Sequence, residues 1–174
     1  MNLNEISRRK ALKLVGVGGV IVVGTGVTSA HRDDVDPQQL NELREATAKY
    51  HDLENALTDG FVLPEDHCVS SGDPDVGAMG FHYVHLGRLD ETLDHTEPEV
   101  LLYEERGNKR HLVAVEFLST ATSKADGGEP PVVLGHEMHP FHEPFANWAL
   151  HVWAWKDNPN GLFADFNPRV ECPE

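Results

Sequence analysis

The apolar period of this chain changes once along its length, and that change limits the fold more than any other feature. At Leu40, Leu43, Ala46, Tyr50, Leu53 and Leu57 apolar residues return every three or four positions, the spacing that lines one face of a helix. Asp36-Pro37-Gln38-Gln39 marks the start, with a capping side chain, a proline at the first helical position and a capping-box spacing. Gly60 marks the stop. This pattern predicts one amphipathic helix of about twenty residues. From Met79 onward the period is two. Met79–Leu86 reads as a strand with Phe81, Tyr83 and His85 on one face and His82 and Val84 on the other. Val100–Glu104 and His111–Leu118 read as a hairpin about Arg106-Gly107-Asn108-Lys109. Ser119 to Pro131 is a polar surface loop and Val132–Leu134 a short strand. Asn147–Trp155 is apolar on both faces, with Ala149, His151, Trp153 and Trp155 on one of them, and reads as a central strand. The tail beyond Asp157 is turn-rich. One helix followed by about five strands predicts an α+β fold, an N-terminal amphipathic helix packed on a mainly antiparallel β-sheet.

The first thirty residues stand apart from that pattern. Ser7-Arg8-Arg9-Lys10-Ala11-Leu12-Lys13 has the form of a twin-arginine export motif, with Arg8 and Arg9 as the pair. Fourteen uncharged residues follow, Leu14 to Val27, five of them glycine, and then the small-residue pattern Thr28-Ser29-Ala30. The stretch is shorter than the roughly 20 residues of a membrane span. Residues 1–30 are therefore read as a signal peptide cut before His31, and 31–174 as a single domain. The expected partner is the twin-arginine translocase, and the expected location is outside the cell or on the outer face of its envelope. Retention of the segment as an uncleaved anchor is the alternative.

The whole chain carries 14 basic and 29 acidic residues in 174, a net charge of -15. Without residues 1–30 the balance becomes 10 to 28, a net charge of -18. Only Lys49, Lys109, Lys124 and Lys156 remain as lysines. Such a surface is wrong for a phosphate backbone or an anionic bilayer, both of which need basic residues. It resembles the surfaces of proteins from salt-loving archaea, where salt screens the self-repulsion.

Two cysteines are too few for a disulfide scaffold or an all-thiolate zinc site. In an exported chain Cys68 and Cys172 are expected to form a bridge closing a loop of about a hundred residues. A thiolate metal site at Cys68 beside His67 is the rival reading.

All eleven histidines follow residue 30. Imidazole is the commonest ligand for transition metals outside thiolate sites. His82, His85, His136, His139, His142 and His151 are the grouped ones. On a strand, side chains three positions apart fall on opposite faces, so His82 and His85 do not chelate together. His136-Glu137-Met138-His139 is one residue short of H-E-x-x-H. With His136, Met138 and His139 in a loop, those residues can meet one ion together with His82 or His151. Met138 and Met79 would make such a site soft enough for copper. The competing explanation puts His82 and His151 in the core with hydrogen-bonded rings, and the loop histidines in solvent. No G-x-S-x-G, phosphate loop or dinucleotide fingerprint is present. Gly77-Ala78-Met79-Gly80 reads as a tight backbone approach into the first long strand.

Several segments together resemble a family of small exported proteins of bacteria and archaea. They are Ala46–Asp52, Gly60-Phe61 with Cys68-Val69, Gly77-Ala78-Met79-Gly80-Phe81-His82-Tyr83-Val84, Pro98–Tyr103, Leu150-His151-Val152-Trp153-Ala154-Trp155 with Asn158–Phe163, and Asn167–Pro173. The resemblance spans most of residues 46–173. It implies an architecture and no activity, and its pattern includes positions like His82, His151, Cys68 and Cys172.

The leading functional reading is an exported binding domain. In it His82 and His151 hold a transition metal (copper, zinc or iron) or a small ligand beside the aromatic face, with His136 and His139 completing the sphere. A metal-dependent hydrolase or oxidoreductase with Glu137 as base is the second reading, and a metal-free envelope protein the third.

Overall fold

The computed structural model describes residues 35–143 and 145–173. The twin-arginine motif with Arg8 and Arg9, the apolar stretch and the cleavage pattern lie outside the described residues, as does the side chain of His142. The fold is mixed α+β, with helical turns and a curled antiparallel sheet.

The expected single helix is instead three pieces. Helix α1 runs Pro37–Thr47, a 3-10 turn takes Ala48–His51, and helix α2 runs Leu53–Thr58. Asp36 caps α1, its carboxylate accepting from the Gln38 N–H at 2.9 Å. The break has a local cause. Asp52 adopts an extended backbone and accepts from the Glu54 N–H at 3.2 Å, so it caps a second helix and does not continue the first. Leu43 and Tyr50 reach the core as the spacing predicts, but after the break the register shifts, so that Ala56 is buried and the expected Leu57 is exposed.

The strands are β1 (Val69–Ser70), β2 (Ala78–Val84), β3 (Val100–Arg106), β4 (Lys109–Ser119), β5 (Val132–Val133), β6 (His136–Glu137), β7 (His139–Glu143) and β8 (Ala146–Val152). Six form one sheet in the order β1-β2-β3-β4-β8-β7, antiparallel at every pairing. β5 and β6 form a separate two-stranded ribbon. His136 therefore lies on a strand and not in a loop. The β3–β4 turn uses Gly107 and Asn108, both at positive φ, the backbone a two-residue hairpin requires.

Each face of the sheet covers its own core. Phe81, Tyr83, Leu101, Tyr103, Phe117, Trp148 and Leu150 meet the helical turns on one side. Ala78, Val84, Val100, Leu102, Leu118, Ala149 and Trp153 form the other. In β4 the pairing shifts between Leu102↔Ala114 and Tyr103↔Leu112, so Val113 is an extra residue, a bulge. Val113 and Ala114 consequently sit in the same core.

The last long strand ends earlier than its apolar run. β8 stops at Val152, where the chain turns away: the Trp153 N–H donates to the Leu162 carbonyl at 2.9 Å and the Trp155 N–H to that of Val113 at 3.1 Å. The two tryptophans therefore part. Trp153 enters the second core and donates its indole N–H to the Ala164 carbonyl. Trp155 packs on the first core and donates to Thr47 Oγ1 at 3.1 Å. A polar indole N–H has to find a partner when buried, and one finds it in the tail and the other in α1.

The tail closes over the second core. Asn167 exchanges backbone hydrogen bonds with Ala78. A Cβ at Gly77 would lie 2.1 Å from the Asn167 carbonyl oxygen, and one at Gly80 2.5 Å from that of Tyr103. The Gly-Ala-Met-Gly run is the close backbone approach that its composition predicts. Cys68 and Cys172 form the expected disulfide across 104 residues, which overturns the thiolate-site reading of Cys68. No helix among the described residues is long and apolar enough to cross a membrane.

Glu99 is buried beside β4, where its carboxylate accepts from the Leu118 N–H at 2.9 Å. Burial still pushes it up from 4.5 to about 7. The folded chain then keeps a proton that the unfolded chain releases, so this group costs stability as pH rises from about 4.5 to about 7 and no further above that. Chemical denaturation of the protein and of Glu99→Gln at several pH values checks this. Relative to the variant, the parent is expected to lose up to about 3 kcal/mol across that window. Parallel curves would contradict it.

Candidate metal centre

The sheet register brings together residues that are far apart in sequence. Val84, Val100, Glu116 and His151 form one cross-strand row over β2, β3, β4 and β8. His82 lies two residues from Val84 on β2 and so shares its face. That row places the Glu116 carboxylate between two imidazoles. Glu116 Oε1 is 3.6 Å from His151 Nε2, and Glu116 Oε2 is 3.9 Å from His82 Nε2. The two rings stand 6.0 Å apart, nearly perpendicular. One donor atom from each of His82, Glu116 and His151 lies within 4.8 Å of the others.

The electrostatics differ at each residue. Burial drives His82 down to about 3, helped by the neighbouring His151, so its ring is neutral. Burial also disfavours charge on His151, but Glu116 and Asp165 outweigh it and hold that ring above its ordinary value. Burial pushes Glu116 up, partly offset by His151. Asp165 approaches His151 Nδ1 at 3.6 Å from the exposed side, and this contact lowers the Asp165 carboxyl. A carboxylate thus stands 3.6 Å from His151 Nδ1 while Nε2 faces Glu116, the placement from which a carboxylate orients a metal-bound histidine on closing to hydrogen-bond distance. His82 Nδ1 and His151 Nε2 are buried without a hydrogen-bond partner. Orphaned polar atoms are rare in native interiors and call for an explanation.

The group forms the polar floor of a cleft of about 480 Å³. Val84, Val100 and Leu118 line it from the sheet, Val69 and Met79 from β1 and β2, and Phe141 and Phe145 from the β7–β8 hairpin. Neither Trp153 nor Trp155 lines it. The expected aromatic wall is therefore supplied by phenylalanines, because the chain leaves the ladder after Val152.

His136 and His139 are not among the three clustered residues. The His136 ring stacks on Phe163 at 4.2 Å, and His139 lies 6.2 Å from His136 at the start of β7. Met138 is buried in the helix-side core, away from the cleft, so it lends no soft ligand there. Glu137 is exposed on β6 and does not line the cleft. His85 packs edge-on against Phe61 in the helix-side core. Glu116 had a signal in the sequence: a lone carboxylate inside Val113-Ala114-Val115-Glu116-Phe117-Leu118. Asp165, in the turn-rich tail, had none.

Protein-family models, curated proteins and solved structures give no match to this chain.

Proposed function

We propose that this protein binds one transition-metal ion through His82, Glu116 and His151, at the floor of an apolar cleft. The observation that carries the reading is the convergence of two imidazoles and a carboxylate, with His82 Nε2 and His151 Nε2 facing the two oxygens of Glu116 and His151 Nε2 buried without a hydrogen-bond partner. A four-coordinate ion with nitrogen and oxygen ligands holds its donors about 3.3–3.5 Å apart. The separations of 3.6 and 3.9 Å lie a few tenths from that, within reach of small side-chain rotations. Two imidazoles and one carboxylate suit zinc or iron(II) and leave at least one position open. Of the two thioethers that would favour copper, Met138 is remote and Met79 lines the cleft. The same proposal includes export through the twin-arginine translocase by Arg8 and Arg9, an acidic surface adapted to salt, and membership of the exported family that residues 46–173 resemble.

Cobalt(II) titration followed by visible absorption tests the ligand set. The parent is expected to bind one equivalent with the intense bands of low coordination. His82→Ala and His151→Ala are expected to lose those bands while keeping their far-UV circular dichroism. Unchanged binding in both variants would contradict the assignment. The pH dependence has a definite sign. A metal must displace the proton that Glu116 and Asp165 stabilise on His151, whereas His82 is already neutral. Apparent affinity is expected to rise with pH, by about tenfold per unit while His151 still holds its proton, and to level off once that proton is lost. Affinity that is flat between pH 5 and 8 would contradict it.

A further inference from the structure

Above the proposed centre the cleft is lined by Val69, Met79, Val84, Val100 and Leu118, with Phe141 and Phe145 beyond them. Its volume of about 480 Å³ is in the range of small-ligand sites. The polar side chains among the described lining residues are the three of the floor and Glu65 and His67. A sugar, nucleotide or peptide would leave its own polar groups unpaired against such walls, at a cost its few contacts could not offset. Among the described residues neither lysine nor arginine lines the cleft, so an anion entering here is balanced by the metal. Glu65 is 78% exposed and faces His67 at 3.2 Å, so its charge is screened by solvent; a divalent ion beside the buried Glu116 carboxylate then carries one net positive charge, which matches one negative charge and not two. Phe141 and Phe145 meet edge to face at 6.1 Å, and Phe145 remains 46% exposed. An exposed aromatic ring beside an apolar cleft offers a further surface for a ring to pack on.

We infer that the cleft takes a small apolar monocarboxylate, its ring or branched chain against Val100, Leu118 and Phe145 and its carboxylate on the metal held by His82, Glu116 and His151. The inference rests on the metal reading proposed above. Benzoate and acetate separate its parts, because both bring the same carboxylate and only one brings an apolar body. In cobalt-loaded protein, benzoate is expected to shift the visible bands and to bind at least about tenfold more tightly than acetate. Phe145→Ala is expected to weaken benzoate several-fold and leave acetate unchanged. Equal affinity for the two acids, or cobalt bands unmoved by benzoate, would overturn the inference while leaving the metal site standing. Protein that retains no cobalt would overturn the metal reading itself. Benzoate-induced methyl shifts at Val100 and Leu118 in that metal-free protein would then support the apolar part of the cleft alone, and unmoved methyls would overturn that part as well.

Discussion

Glu116→Gln is expected to weaken metal binding at least a hundredfold while leaving the fold intact. The amide is nearly isosteric with the carboxylate but carries no charge for the ion. In the metal-free protein the carboxylate helps to hold the proton on His151, whose Nε2 stands 3.6 Å away. Removing one partner of a buried charge pair costs stability. The metal-free variant is therefore expected to melt lower than the metal-free parent where His151 is protonated, and the difference is expected to shrink as pH rises and that proton is lost. Added zinc at a hundred times its dissociation constant should raise the parent by about 2.7 kcal/mol and leave the variant unmoved. Calorimetric melts with and without zinc measure both effects. A variant that binds zinc as the parent does would remove Glu116 from the ligand set.

Loss of the Cys68–Cys172 bridge is expected to be the largest stability effect in the molecule. The bridge joins residues 104 apart in sequence. By loop entropy, releasing such a span costs about 4–5 kcal/mol, or roughly 10–15 °C in melting temperature for a chain of this size. The site should feel the loss as well. Asp165 lies in the tail that Cys172 ties down, between the Trp153–Ala164 and Ala78–Asn167 contacts. A looser tail withdraws the carboxylate that orients His151. Cys68→Ser/Cys172→Ser is thus expected to melt lower and to bind zinc about tenfold more weakly, with His82, Glu116 and His151 themselves unchanged. A melting point within about 3 °C of the parent would show that the tail is held by its packing alone.

The parts of this fold that were legible in the sequence are those governed by local period. Alternation in Phe81-His82-Tyr83-Val84 sends Phe81 and Tyr83 into one core and Val84 into the other as it predicts, and Gly107-Asn108 forms the turn its composition implies. The misreadings arise where a local competitor interrupts a good pattern. Asp52 captures a helix start in the middle of an amphipathic run. Trp153 and Trp155 lie beyond the end of the ladder, and their indoles donate to Ala164 in the tail and Thr47 in α1. For the candidate site, His82 and His151 were visible as histidines on buried strands, and they meet. Their common partner was not, because β2 and β8 are separated by two strands whose register no local pattern encodes. In so acidic a chain Glu116 was one carboxylate among 29, although its apolar neighbours mark it out.

Elemental analysis of the untagged protein, purified without chelator, decides whether His82, Glu116 and His151 hold a metal. Close to one zinc or iron per chain is expected in the parent and less than a tenth of that in His151→Ala. Metal-free parent protein that still takes up none after incubation with zinc, iron(II), cobalt and copper would contradict the assignment. His151 would then be a core residue and His82 its half-buried neighbour.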